Sequence, residues 1–211
     1  VSIATVFGYP VSDSTGRVTL QTIEQPDSGA PSAAAWVRAF PRRLTVPPLE
    51  RQTVRLLATP PEGLADGEYW TRVVVSAKGG RVPISGVADT AAIRVGVTLE
   101  VRTLIALSYR KGAVRTGVTL SNVRAALVRD SLAVWARLQR EGNAAFIGTV
   151  RLSLVDSTGA ARVTFKSPVA VYYVLAPRLA VATGRLAPGR YWVRIEGSTD
   201  RDDVPRTAVL P

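Results

Sequence analysis

No cysteine, histidine or methionine occurs in this chain of 211 residues. The lack of cysteine excludes disulfides, thiolate metal sites and cysteine nucleophiles, and it suits both the cytosol and the periplasm. The lack of histidine removes the commonest general base, the commonest metal ligand and every Ser-His-Asp triad. A non-enzymatic protein with no metal or cofactor is therefore expected. The lack of methionine means that Val1 is not an initiator residue: a signal peptide has been removed, or the chain is a fragment. No apolar run reaches eighteen residues, so no membrane-spanning helix is expected. Lysine is scarce too, with only Lys78, Lys111 and Lys166, so arginine carries nearly all the positive charge.

What is present is enough for a real core. Hydrophobic residues make up 46% and charged residues 20%, a balance of folded rather than disordered chains. The length suits one large domain or two of about 100 residues. Net charge is +11, and the segment after residue 110 holds 15 basic and 7 acidic groups. Such a field favours an acidic protein, an anionic lipid surface or nucleic acid. Adjacent basic residues are limited to Arg42-Arg43 and Arg110-Lys111, and aromatics do not interleave with arginine as on a base-stacking platform. A protein partner is expected, nucleic acid is not, and peripheral contact with an anionic membrane surface stays open.

The most regular stretch runs from Ile93 to Arg110. Its odd positions are Ile93, Val95, Val97, Leu99, Val101, Thr103, Ile105, Leu107 and Tyr109, and its even positions are mostly polar. Side chains alternate across a strand, so this is a strand with one apolar face. It is roughly three times the usual strand length of about 5–6 residues. It bends, serves two neighbours or runs past its own domain to meet a partner. The alternative is an ordinary sandwich strand with a bulge at Gly96 or Thr103.

Other candidate strands are Val1–Val11, Arg17–Gln25, one from Trp36, Gln52–Ala58 and Leu64–Ala77. After a hinge at Lys111-Gly112-Ala113 come Gly117–Val123, Ser131–Gln139, Phe146–Val155, Ala161–Phe165, Val169–Leu175, Leu179–Ala182 and Tyr191–Glu196, with a last short strand over Pro205–Pro211. Turn signals every 8–12 residues or so describe an all-β sandwich. Two echoes sharpen this. VSDSTGRVTL from Val11 resembles LVDSTGAARVTF from Leu154, and LADGEYWTRV from Leu64 resembles LAPGRYWVRI from Leu186. Leu-x-x-Gly-x-Tyr is the pattern of a tyrosine corner, with Tyr69 and Tyr191 as the corner residues. Two immunoglobulin-like sandwiches are expected, at residues 1–110 and 111–211.

The Asp-Ser-Thr-Gly repeats at Asp13 and Asp156 have one residue too many for the Asp-Thr-Gly loops of aspartic proteases and read as turns. Asp200, Asp202 and Asp203 lack the spacing of a calcium loop. Trp36, Trp70, Trp135 and Trp192 are expected in strands as core residues.

With PPLERQTVRLL from Pro47 and GEYWTRVVV from Gly67, the first half resembles the periplasmic pilus-chaperone (PapD-like) family. The resemblance covers about Trp36 to Arg110 and ends in Leu107-Ser108-Tyr109-Arg110. It implies a periplasmic or envelope-associated chaperone whose edge strand lends alternating apolar side chains to a pilin-like subunit. Val95, Val97, Leu99, Val101 and Ile105 are then the partner-binding residues. Where the family carries an anchoring lysine on this strand, the chain has Ala106, and no arginine occurs in Val1–Val11. A permanent accessory subunit of a larger envelope or membrane complex is the alternative role.

Overall fold

The computed structural model describes residues 1–79 and 99–205. The fold is all-β. Among the described residues the regular elements are β1 (Ser2–Ser12), β2 (Val18–Ile23), β3 (Val37–Phe40), β4 (Arg55–Ala58), β5 (Gly67–Lys78), β6 (Glu100–Lys111), β7 (Thr116–Val128), β8 (Ser131–Gly142), β9 (Phe146–Val155), β10 (Ala161–Val171), β11 (Val174–Leu175), β12 (Arg178–Ala182) and β13 (Trp192–Thr199). Two compact units divide the chain. The first takes Val1–Phe7, Ile23–Leu64 and Trp70–Tyr109, and the second takes Gly8–Thr22, Ala65–Tyr69 and Arg110–Pro211. The break after Tyr109 lies one residue from the boundary read in the sequence. The segments 8–22 and 65–69 belong to the second unit as well.

In the first unit β1 pairs antiparallel with β5, from Ser2↔Ser76 to Val6↔Arg72. β6 lies on the far side of β5. β3 and β4 form a separate hairpin, with Arg38 opposite Leu57 and Phe40 opposite Arg55. Val37 and Ala39 alternate inward and are buried, while Arg38 and Phe40 are exposed. Ile3, Ala39 and Val73 form the core, with Val1, Leu44, Val54, Val75 and Leu107 packed against them. The chain after β3 is tied back to β1 by Ile3 N to Arg42 O (2.8 Å) and Leu44 N to Val1 O (3.0 Å). Trp70 is buried, and its backbone bonds to Pro31 and Ala33. Trp36 lies in a turn before β3 and is half-buried, which corrects its expected place in a strand core.

In the second unit one sheet has the order β10-β9-β13. The other places β7 on one side of β8, with β11 and β12 on the other. Val134 and Leu138 of β8 meet Val150, Leu152 and Leu154 of β9 in one core, with Val118, Phe146, Val171, Leu179 and Val181. This is a sandwich, since each sheet buries one set of alternating residues. β10 runs unbroken through Pro168, where the sequence reading divides it into two strands. β10 is the edge of its sheet, where a proline's missing N–H removes no ladder bond.

Both Asp-Ser-Thr-Gly repeats form the same turn. Asp13 Oδ1 accepts from Thr15 N (2.8 Å), Thr15 Oγ1 (2.6 Å) and Arg17 N (3.0 Å). Asp156 Oδ1 accepts from Thr158 N (2.9 Å), Thr158 Oγ1 (2.6 Å) and Ala160 N (3.1 Å). These bonds hold both carboxyls below the usual aspartate range. The β1–β2 turn packs within the second unit, where Trp135 Nε1 donates to Thr15 O (3.0 Å) and Arg178 N to Gly16 O (2.9 Å). The Trp135 ring is flanked by the guanidiniums of Arg124 and Arg178, so it is half-buried on the outer side of β8 rather than in the core.

Gly112 lies just after β6 at φ 60, and a Cβ there would come within 2.0 Å of the Asp66 carboxyl. That carboxyl accepts from Ala113 N (3.0 Å), while Asn143 Nδ2 donates to Ala113 O (3.0 Å). The Lys111-Gly112-Ala113 segment is thus fixed by named bonds.

Candidate functional site

Among the described residues β6 ends its sheet order, with β5 on one side. Its odd residues share one face, and at Leu107 and Tyr109 that face is covered. Leu107 packs on the Ile3–Ala39–Val73 core, and the Tyr109 ring meets Trp36 edge-on at 4.9 Å between centroids. Toward the start of the strand the cover stops. Leu99 is 66% exposed, Val101 53% and Ile105 52%. Leu104, on the other face, is exposed as well. The even face also carries an ion pair between Glu100 Oε1 and Arg102 Nε (2.8 Å), and this bond lowers the Glu100 pKa. Val95 and Val97 lie outside the described residues.

An apolar strand edge of this kind is normally shortened, bulged, charged or covered. Among the described residues several other sheet edges show such devices. β10 carries Pro168 and a register shift near Ala161. β7 has a bulge between Ser121 and Arg124, with Asn122 at φ 50. β4 is only four residues long. β13 alternates with Arg194, Glu196 and Ser198. β6 has only Glu100 and Arg102 near its exposed start.

No family model, curated protein or solved structure matches the chain. The candidate site accordingly rests on geometry.

Tyr69 Oη donates to Ala65 O and Tyr191 Oη to Ala187 O, each at 2.9 Å. Trp192, next to Tyr191, points to the opposite side and is 56% exposed, which corrects its assignment to the core. A shallow depression of about 460 Å³ lies beside it, lined also by Asp156, Ser157 and Arg194. The Asp156 carboxyl is taken up by its own turn and by Arg162, so it offers no free acid there.

One cluster was not legible from spacing. Glu68, 1% exposed, is gripped by Arg201 through Nη2 to Oε2 (2.6 Å) and Nη1 to Oε1 (3.1 Å). Ala145 N donates to the same Oε1 at 3.2 Å, and Arg110 Nε lies 3.6 Å from Oε2. Asp203, set aside above as a cation ligand, pairs with Arg201 and Arg110. Burial alone would lower the Arg201 pKa, but the bonds to Glu68 and Asp203 outweigh it and raise the value. The cluster joins residues 133 positions apart in the second unit, and its groups are matched to one another.

In the first unit a cavity of about 210 Å³ is lined by Ile3, Ala4, Thr5, Arg38, Ala39 and Arg42. Among the described residues no group of histidine, cysteine or carboxylate side chains is arranged to hold a metal ion. None of their helices is long and apolar enough to cross a membrane.

Proposed function

We propose that this chain is a non-enzymatic, chaperone-like protein of the periplasm or cell envelope that holds a protein partner by adding a strand to β6. The observation that carries the reading is the row of uncovered aliphatic side chains, Leu99, Val101 and Ile105, on an edge strand whose other end is anchored in a core. An incoming strand gains main-chain hydrogen bonds from the edge and sets alternate apolar residues against these three. Fully burying such a side chain is worth about 1.5–3 kcal/mol. With half or more of each still exposed, the three together offer about 3 kcal/mol before ordering costs. A pilin-like subunit that lacks one strand and alternates apolar with polar residues is the fitting partner. Two immunoglobulin-like domains are part of this proposal, supported by the division of the chain into two compact units and by the paired sheets of the second.

Ala106, in the place of the family's anchoring lysine, favours a second role for the same edge: a fixed subunit of a larger envelope or membrane complex. The two roles differ in turnover. A chaperone releases its client to an assembly platform, whereas a subunit stays at constant stoichiometry. The test is co-purification from the native envelope with wild type and with Ile105→Glu. The reading expects a partner captured by wild type and lost from a variant whose thermal stability is nearly unchanged. Retention of the same partner by Ile105→Glu would refute it.

A further inference from the structure

Leu49 occupies a place that disfavours it. Glu50 N donates to Pro47 O (3.2 Å), closing a turn with Pro48 and Leu49 at its centre. Leu49 has φ 66. Proline second and a positive φ third is the type II pattern, whose third position suits glycine or asparagine. The Leu49 side chain gains no packing in return, because it is fully exposed. The strain works against the folded state, and the exposed side chain returns no burial to offset it.

Its surroundings indicate what meets it. The loop bearing Leu49 springs from the end of the β3–β4 hairpin where Phe40 faces Arg55. Register places Arg38, Phe40, Arg55 and Leu57 on one face of that hairpin, and all four are exposed. Residues 37–58 hold five arginines, Arg38, Arg42, Arg43, Arg51 and Arg55, against the single acid Glu50. Among the described residues none of the five is in an ion pair. Arg38 and Arg42 also line the 210 Å³ cavity beside β1.

We infer that this end of the first unit docks on an anionic lipid bilayer. Leu49 enters the boundary between headgroups and acyl chains, Phe40 and Leu57 lie at the interface, and the arginines meet lipid phosphates. A bilayer accepts one protruding apolar tip and scattered cations without a matching pocket. An acidic folded protein would need a cleft shaped to Leu49. The inference is independent of the strand-addition reading, because it uses none of the β6 residues.

The test is co-sedimentation of the purified chain with two kinds of vesicle, phosphatidylcholine alone and phosphatidylcholine mixed equally with phosphatidylglycerol. Binding is expected only with the mixed vesicles and is expected to weaken as salt rises. Leu49→Gly fits the turn better than leucine, so it keeps the fold while removing the tip, and should lower binding at least about five-fold. Arg38→Ala and Arg55→Ala should each lower it about five-fold. Ile105→Ser should leave it unchanged, which separates this outcome from any failure of the β6 reading. Equal sedimentation with both vesicles, sedimentation with neither, or wild-type binding by Leu49→Gly overturns the inference. Binding of soluble polyglutamate in place of vesicles, with the same arginine dependence, overturns it in favour of an acidic protein.

Discussion

Arg201→Met should be among the most damaging single changes in the second unit. Glu68 is 1% exposed, and Arg201 grips its carboxylate through two bonds. Removing one partner of a buried pair costs about 3–5 kcal/mol, because a desolvated charge is left behind. Here Ala145 N still donates to Oε1, and Arg110 Nε stays 3.6 Å from Oε2. These place the cost near the lower end, about 3 kcal/mol. For a chain of this size that corresponds to a fall in melting temperature of roughly 6–12 °C. Thermal and urea unfolding followed by tryptophan fluorescence measure it directly. The double variant Glu68→Met with Arg201→Met removes both charges and should recover at least half of the loss, since apolar replacements of buried pairs are often tolerated. A loss below about 1 kcal/mol for Arg201→Met, or a double variant no better than the single, would refute the view that this pair is a desolvated unit.

Tyr191→Phe deletes the donor to Ala187 O and should cost about 1 kcal/mol by urea denaturation; no measurable loss would remove the corner bond from the account. Acid should destabilise the chain through its turn aspartates. Folding lowers the pKa of Asp156 through its bonds to Thr158 and then Arg162, so in acid the folded state binds fewer protons than the unfolded chain. This contribution is complete above about pH 4 and is lost as the pH falls below it. Asp156→Asn should therefore flatten the fall of stability between about pH 4 and pH 2, measured as melting temperature against pH.

Much of the fold was legible because a strand writes its period into the sequence. Phe146–Val155 is β9 to the residue, and both Asp-Ser-Thr-Gly repeats are turns because aspartate caps the backbone ahead of a glycine. The Leu-x-x-Gly-x-Tyr echo pointed to two hydroxyl bonds that the structure contains. Other features depend on what covers a residue, which periodicity cannot report. Trp70 and Trp192 hold equivalent places in the echoed motif, yet Trp70 is buried and Trp192 is 56% exposed. Pro168 looked like a strand break because its tolerance depends on lying at a sheet edge. Glu68 and Arg201 meet only through the tertiary fold, and Leu49 revealed itself only through its φ angle. The candidate edge was visible as an alternating run. What alternation could not tell is that its side chains are covered at Leu107 and uncovered from Ile105 back to Leu99.

Amide hydrogen exchange along β6, measured with and without the co-purified partner, tests the central proposal most directly. The account predicts that the alternate amides between Val101 and Ala106 that face away from β5 exchange readily in the free protein and become strongly protected in the complex, with little change on β10 or β13. A complex that forms while these amides exchange as fast as before would contradict it.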